Sequence, residues 1–291
     1  MFGRKLIIPL IFIAGFSLFF YPFISHWWKT KNHYEIMRNY DYELEKMTED
    51  DRLAQLKEAE KYNQSIHTNG IPIYDPFSED AEDATVNKSY FNLMKIEETM
   101  GHLEIPKINV HLPIYHGIGE KVLSQGVGHM SNSSLPIGGS GTHSALTAHR
   151  GLPSTKLFRD LDKVKEGDVF FIHSLGETLA YRVDDIQIVL PSETEWLDID
   201  ENKDYATLIT CEPYMINTHR LLVRGERVPY DDSLVAKRSD YTMEKEARLL
   251  GMAKEEGEHF YKDPIVLSSV AFTVLVFSLI ILVIKRRRRL T

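Results

Sequence analysis

Two long apolar runs at opposite ends of the chain constrain its fold more than any other feature. Leu6 to Ile24 is interrupted only by Pro9, Gly15, Ser17, Tyr21 and Pro22 and leads into Trp27 and Trp28; Ile265 to Ile284 is a second run of 20 residues. Twenty residues rise about 30 Å as helix, the thickness of a bilayer's hydrocarbon core. Arg4 and Lys5 precede the first run, and Lys285 to Arg289 follow the second. Basic clusters at both outer ends place both termini in the cytoplasm and leave Lys29 to Asp263 as one domain on the far side. A cleaved signal peptide is the alternative for the first run. Ser25, His26, Trp27 and Trp28 match a small-residue cleavage site poorly, which favours a retained anchor.

Between the runs, a 291-residue chain that is 43% hydrophobic has room for one core domain. Formal net charge is -8, but removing the seven terminal basic residues named above from 34 leaves 27 against 42 acidic ones, so the middle carries -15. Nucleic acid is not an expected partner, because phosphate binding needs clustered Lys and Arg. Twelve histidines raise the question of metal, yet no HExxH pair occurs and one cysteine cannot build a thiolate cluster. No metal or cofactor is expected. Gly138, Gly139 and Gly141 lack the GKS or GKT of a nucleotide loop and read as a tight turn.

From Lys29 the chain is charged and free of Gly and Pro, and Tyr34, Met37, Tyr40, Leu44 and Met47 form a helical stripe. Thr48, Glu49, Asp50 and Asp51 signal a new helix start, continued by Leu53, Leu56, Ala59 and Tyr62 until Asn69 and Gly70. An acidic, aperiodic loop follows, Ile71 to Ser89. Ile108, Val110, Leu112 and Ile114 alternate as a half-buried strand, with Pro113 pointing to a sheet edge. Lys156 to Val164 reads as a short helix. Asp168 to His173 and Leu179 to Leu190 read as strands joined by a turn at Gly176. Many short strands with turns between them indicate a mainly β domain with peripheral helices.

Cys211, the only cysteine, excludes an intramolecular disulfide. Thr207 to Thr210 is β-prone, Glu212, Pro213 and Tyr214 suit a turn, and Arg220 to Arg224 resumes an extended pattern. Cys211 then stands at one strand end with Arg220 opening the next. A guanidinium there favours thiolate and is placed to receive an oxyanion. The commoner fate of a lone cysteine is a small packed hydrophobe, so both readings stand on this window alone. Ser144 to Ala148 is another short apolar strand, and His149 follows its end; His143 nearby reads as structural. Asp75, Pro76 and Phe77 read locally as a turn with a solvated carboxylate and a docked ring.

The segment TLITCEPYMINTHRLLVRGER, Thr207 to Arg227, resembles the catalytic segment of the sortases. TLxTC is followed nine positions later by arginine, and the continuation is similar to the class C, pilus-assembling group. LEIPKI with LPIYHG and the AHRG around His149 extend the resemblance, which spans about Leu53 to Val228 plus the C-terminal apolar run. It implies a closed, eight-stranded sortase barrel, which the two apolar runs flank as N- and C-terminal transmembrane helices. His149, Cys211 and Arg220 would be catalytic, a Cys nucleophile needing an adjacent imidazole. Asp75, Pro76 and Phe77 would form a lid, Asp75 pairing with Arg220 while Phe77 covers Cys211.

The organisation expected from residues and resemblance together is an anchor over 1–28, a helical segment over 29–68, a lid loop over 69–89 and the barrel over 90–230. A helical tether over 231–263, a second span over 264–285 and a basic tail over 286–291 complete it. The implied activity is cleavage of an LPxTG-like sorting signal and joining of pilin subunits to a lysine amine. Attachment of proteins to peptidoglycan, thioester hydrolysis and a membrane-tethered binding module are the alternatives. Glu193 to Lys203 is either a wall of the substrate groove or a solvated loop.

Overall fold

The computed structural model describes residues 2–69, 74–78, 89–152, 155–230 and 234. Two helices come first, α1 (Phe2–Lys46) and α2 (Glu49–Asn69). The break between them is chemical. Thr48 Oγ1 accepts a hydrogen bond from the Asp51 backbone N–H at 3.2 Å and donates to the Asp51 carboxylate at 2.6 Å, and Glu49, Asp50 and Asp51 set negative charge on the positive end of α2. The first apolar run forms the N-terminal part of α1, yet among the described residues no helix is long and apolar enough to cross a membrane. The second run, the basic tail, the 231–263 tether apart from Leu234 and most of the acidic loop lie outside the described residues.

Eight strands follow: β1 (Gly101–Ile105), β2 (Val110–His116), β3 (Val127–His129), β4 (Thr142–Thr147), β5 (Val169–Ser174), β6 (Glu177–Val189), β7 (Asp204–Glu212) and β8 (His219–Val228). They close into a barrel in the order β1-β2-β3-β4-β7-β8-β6-β5. Pairs β2–β3 and β4–β7 are parallel and the rest antiparallel. An eight-stranded barrel is just wide enough for side chains to fill. Leu103, Ile114, Val127, Leu146, Leu208 and Val223 are buried there. Gly225 is required by this packing. A Cβ at that position would stand 2.7 Å from the Phe170 ring, which stacks on Tyr181 at 5.5 Å.

The helices cover the barrel's outer surface. Tyr40 of α1 is buried; its hydroxyl donates to the Met100 carbonyl at 3.3 Å and accepts the Leu175 N–H at 3.0 Å. Asn63 of α2 bonds both the N–H and the carbonyl of Leu135. This cover corrects the expectation for β2, which is buried at six of its seven positions because α1 packs on it. Pro113 is not on an edge either. β2 pairs with β1 on one side and β3 on the other, and the β3 pairing begins only at Ile114, so the missing N–H of Pro113 interrupts no bond there. Ile108 belongs to a 3-10 turn before the strand.

The short helix expected over 156–164 is also absent; only Leu161–Lys163 forms a 3-10 turn. Leu157 adopts φ 42°, a left-handed conformation that ends any helix started at Lys156. Gly138, Gly139 and Gly141 have φ of 71°, 114° and 74° in the β3–β4 turn, where non-glycine residues are disfavoured.

Candidate active site

Sequence adjacency and barrel closure bring three strand ends together. β7 and β8 are an antiparallel hairpin in which Cys211 stands directly opposite Arg220. Directly opposed residues project to one face with Cβ atoms about 4.5–5.5 Å apart. His149 arrives from elsewhere in the chain. It follows β4, which runs parallel to β7 with Thr147 opposite Ile209. Past that point, Ala148 N–H donates to the Ile209 carbonyl at 3.2 Å and Thr210 Oγ1 donates to the Ala148 carbonyl at 2.8 Å. His149, Cys211 and Arg220 then line one cavity of about 580 Å³, together with Pro76, Phe77 and Glu120.

The aperiodic loop supplies one wall of this cavity. Asp75 accepts two hydrogen bonds from Arg220, Nε to Oδ1 at 2.6 Å and Nη2 to Oδ2 at 2.7 Å, with the two side chains only 10% and 9% exposed. Such a fork is the strongest form of ion pair. Ser78 returns hydrogen bonds to the Asp75 carbonyl and so closes the turn that Pro76 begins. Phe77 sits between the two other groups of interest: its ring lies 5.8 Å from His149 and 5.1 Å from the Arg220 guanidinium. It packs with Ile118 against Met130, Ala145, Val189, Ile209 and Leu222. The local reading of a solvated Asp75 is therefore wrong: its carboxylate is buried against Arg220.

The electrostatics follow from this arrangement. Burial pushes the Cys211 thiol above its ordinary range; Arg220 opposes that shift, Asp75 adds to it, and Arg150 opposes it. Burial works against the Arg220 charge, but Asp75 more than compensates and holds the guanidinium above its usual value. With Asp75 in place, the positive charge opposite Cys211 is engaged by a carboxylate, which adds to the effect of burial in disfavouring thiolate.

Two residues at this site, Glu120 and Arg150, are not distinguishable in the sequence, whereas His143 has the structural role read for it there. His149 Nε2 lies 3.1 Å from Glu120 Oε2, which belongs to the short helix α3 (Glu120–Leu123) before β3. Arg150 is buried and paired to Glu212 and to Asp162, the latter at 3.2 Å. His143 lies inside, its Nε2 2.7 Å from Thr207 Oγ1 and its Nδ1 2.9 Å from the Asp198 carbonyl oxygen; burial pushes its pKa down to about 4. It does not line the cavity. Nor does any residue of 193–203, although Leu197 is buried in the cluster beneath Phe77. Among the described residues no group of His, Cys, Asp or Glu is arranged to hold a metal ion.

A lone thiol, an imidazole and a guanidinium at adjoining strand ends of a closed barrel describe a cysteine-centred acyl-transfer enzyme. Comparison with known proteins specifies which kind. The Sortase domain family model matches residues 103–228. Sortase A of Streptococcus agalactiae serotype III is 29% identical over 235 residues, covering 77% of this chain and 84% of the relative. Among solved structures, sortase C-1 of Streptococcus pneumoniae is 44% identical with a TM-score of 0.61, covering 68% of this chain and all of that one. Sortase C1 of GBS pilus island 1 is 42% identical with a TM-score of 0.63, covering 69% and 94%. The chain belongs to the sortase family, its structural neighbours are class C sortases, and its activity is that of a cysteine transpeptidase.

Proposed function

We propose that this sortase polymerises pilin subunits, cleaving an LPxTG-like sorting signal and passing the acyl group to a lysine amine of another subunit. The observation that carries the reading is the single cavity shared by Cys211, His149, Arg220 and the Asp75–Phe77 turn. Solved relatives with this fold include a pilus-related sortase C of Group B Streptococcus, 39% identical with a TM-score of 0.61.

In the reading, Cys211 is the nucleophile. Its thiolate attacks the threonine carbonyl, and Arg220, on the facing strand, stabilises the oxyanion. His149 donates a proton to the departing glycine amine. A thioester results, which keeps the acyl group activated without a further energy source. The acceptor lysine amine attacks it, His149 takes up the amine's proton, the C–S bond breaks to return the Cys211 thiolate, and the isopeptide-linked product is released. Asp75 must first leave Arg220, so the turn at Asp75, Pro76 and Phe77 acts as a lid over a resting enzyme.

The two apolar runs act as membrane anchors, with both termini cytoplasmic and the barrel on the outer face. Basic clusters at their outer ends support this placement. Pilin subunits and the membrane are then the partners.

The test is a competition between acceptors. Full-length enzyme in detergent is given a sorting peptide with either a lysine-bearing pilin peptide or a peptidoglycan-type amine. Isopeptide product with the first acceptor is expected; preferential use of the second would reassign the enzyme to wall anchoring.

A further inference from the structure

The β4–β7 ladder stops before it reaches the residues that matter. Its last backbone bond is Ala148 N–H to Ile209 O, and its last side-chain bond comes from Thr210. His149 and Cys211 stand one step beyond, where parallel strands no longer fix their separation. One further bond spans the two segments. Arg150 Nη1 donates to the Cys211 carbonyl oxygen at 3.3 Å. The same guanidinium is paired to the Glu212 carboxylate and, through Nη2, to Asp162 Oδ2 at 3.2 Å. Arg150 itself is 8% exposed, and Glu212 and Asp162 side chains are 19% and 49% exposed.

The connection is short on both sides. Arg150 is the neighbour of His149 in the chain, and the Cys211 carbonyl and the Glu212 side chain are one peptide apart. Asp162 belongs to the 3-10 turn Leu161–Lys163, so the fork also closes the loop that leaves His149. Phe158 N–H donates to the His149 carbonyl at 3.1 Å from the same loop. A planar guanidinium is suited to this task because it holds several acceptors in fixed directions, which an ammonium cannot do.

We propose that Arg150 is a positioning residue for the transfer reaction: its fork to Cys211 O, Glu212 and Asp162 sets the spacing between His149 and Cys211. The inference rests on the roles given above to those two residues. It assigns Arg150 a function distinct from that of Arg220, which faces the thiol side chain, whereas Arg150 holds the backbone behind it. Positive charge from Arg150 also acts on the Cys211 sulfur in the direction of thiolate.

The test uses full-length enzyme carrying Asp75→Ala, so that the lid does not mask differences. Into it are placed Arg150→Met, Arg150→Lys and the pair Glu212→Gln with Asp162→Asn. Two readouts are taken: kcat and KM for cleavage of a sorting peptide, and the rate of Cys211 alkylation by iodoacetamide with and without His149→Ala. A loss of at least tenfold in kcat in Arg150→Met is expected, with KM within about threefold and little rescue by lysine. His149→Ala should slow alkylation in the parent and have little effect once Arg150 is replaced. Unchanged kcat, a loss confined to KM, or full rescue by lysine would overturn the proposal.

Where Arg150→Met yields no folded protein, the Glu212→Gln, Asp162→Asn variant retains Arg150 but weakens its fork and must show a kcat loss of at least fivefold; parental kcat would refute the tether. Should the parent cleave no sorting peptide, the functional reading fails. The alkylation comparison then decides on its own, because an undiminished effect of His149→Ala in the Arg150→Met protein refutes the positioning role.

Discussion

Replacing Asp75 by alanine should convert an occluded cysteine into an accessible one, and the structure sets the size of the effect. Asp75 and Arg220 share two charge-assisted hydrogen bonds of 2.6 and 2.7 Å at 10% and 9% side-chain exposure. Truncating one partner of such a pair costs on the order of 2–4 kcal/mol. That is roughly 30- to 1,000-fold in the ratio of closed to open lid. Phe77 keeps its contacts with His149 and the apolar cluster, so the lid is loosened rather than lost. The gain in access is capped once the open form dominates. The rate of Cys211 alkylation at pH 7 is expected to rise at least tenfold.

A second component separates by pH. Removing the carboxylate withdraws an influence that raises the Cys211 pKa and frees Arg220, which lowers it. The midpoint of the alkylation pH profile should therefore move down, while the plateau rate reports access alone. Asp75→Asn, which keeps the volume but not the charge, should fall between the two proteins. An alkylation rate for Asp75→Ala within twofold of the parent, with an unmoved midpoint, would refute the argument that this pair closes the site.

Two further outcomes are expected. Arg220→Ala should lower kcat for sorting-peptide cleavage by on the order of 10²-fold, as removal of one oxyanion donor does, and a loss below threefold would exclude that role. Stability should fall with acid, because burial depresses the folded pKa of His143 to about 4 and of His129 to about 3, against 6.5 for the free side chain. The unfolded chain takes protons that the folded chain refuses, so this stability is present above pH 6.5 and is lost below it. Each histidine contributes a loss of about 2 kcal/mol between pH 7.5 and 5. Urea unfolding of the parent and of His143→Asn at the two pH values reads this difference; equal pH dependence in both would contradict it.

What the sequence reveals depends on how far apart the interacting residues lie. Cys211 and Arg220 are legible as a pair because a single hairpin turn joins their strands. His149 is legible from its strand end and the segment around it. The Asp75–Arg220 contact was accessible only through the family resemblance, since 145 residues separate the partners and a local reading leaves the carboxylate in solvent. Glu120 and the Arg150 fork gave no signal. Their partners are assembled by barrel closure, and neither a lone glutamate in a short helix nor an arginine beside a histidine has a distinctive pattern. β2 was misread for a similar reason: alternation reports one covered face, whereas α1, some 70 residues upstream, covers the other.

The central claim is that Cys211 forms an acyl-enzyme that passes to an amine. Intact-mass spectrometry of the full-length Asp75→Ala protein, incubated with an LPxTG-type peptide and then with a lysine-bearing acceptor, tests it most directly. A mass increase equal to the peptide's N-terminal acyl portion is expected, located on Cys211, absent in Cys211→Ala and discharged onto the acceptor as an isopeptide. No adduct on Cys211 across a panel of sorting peptides, or an adduct that only water releases while acceptor is present, would contradict it.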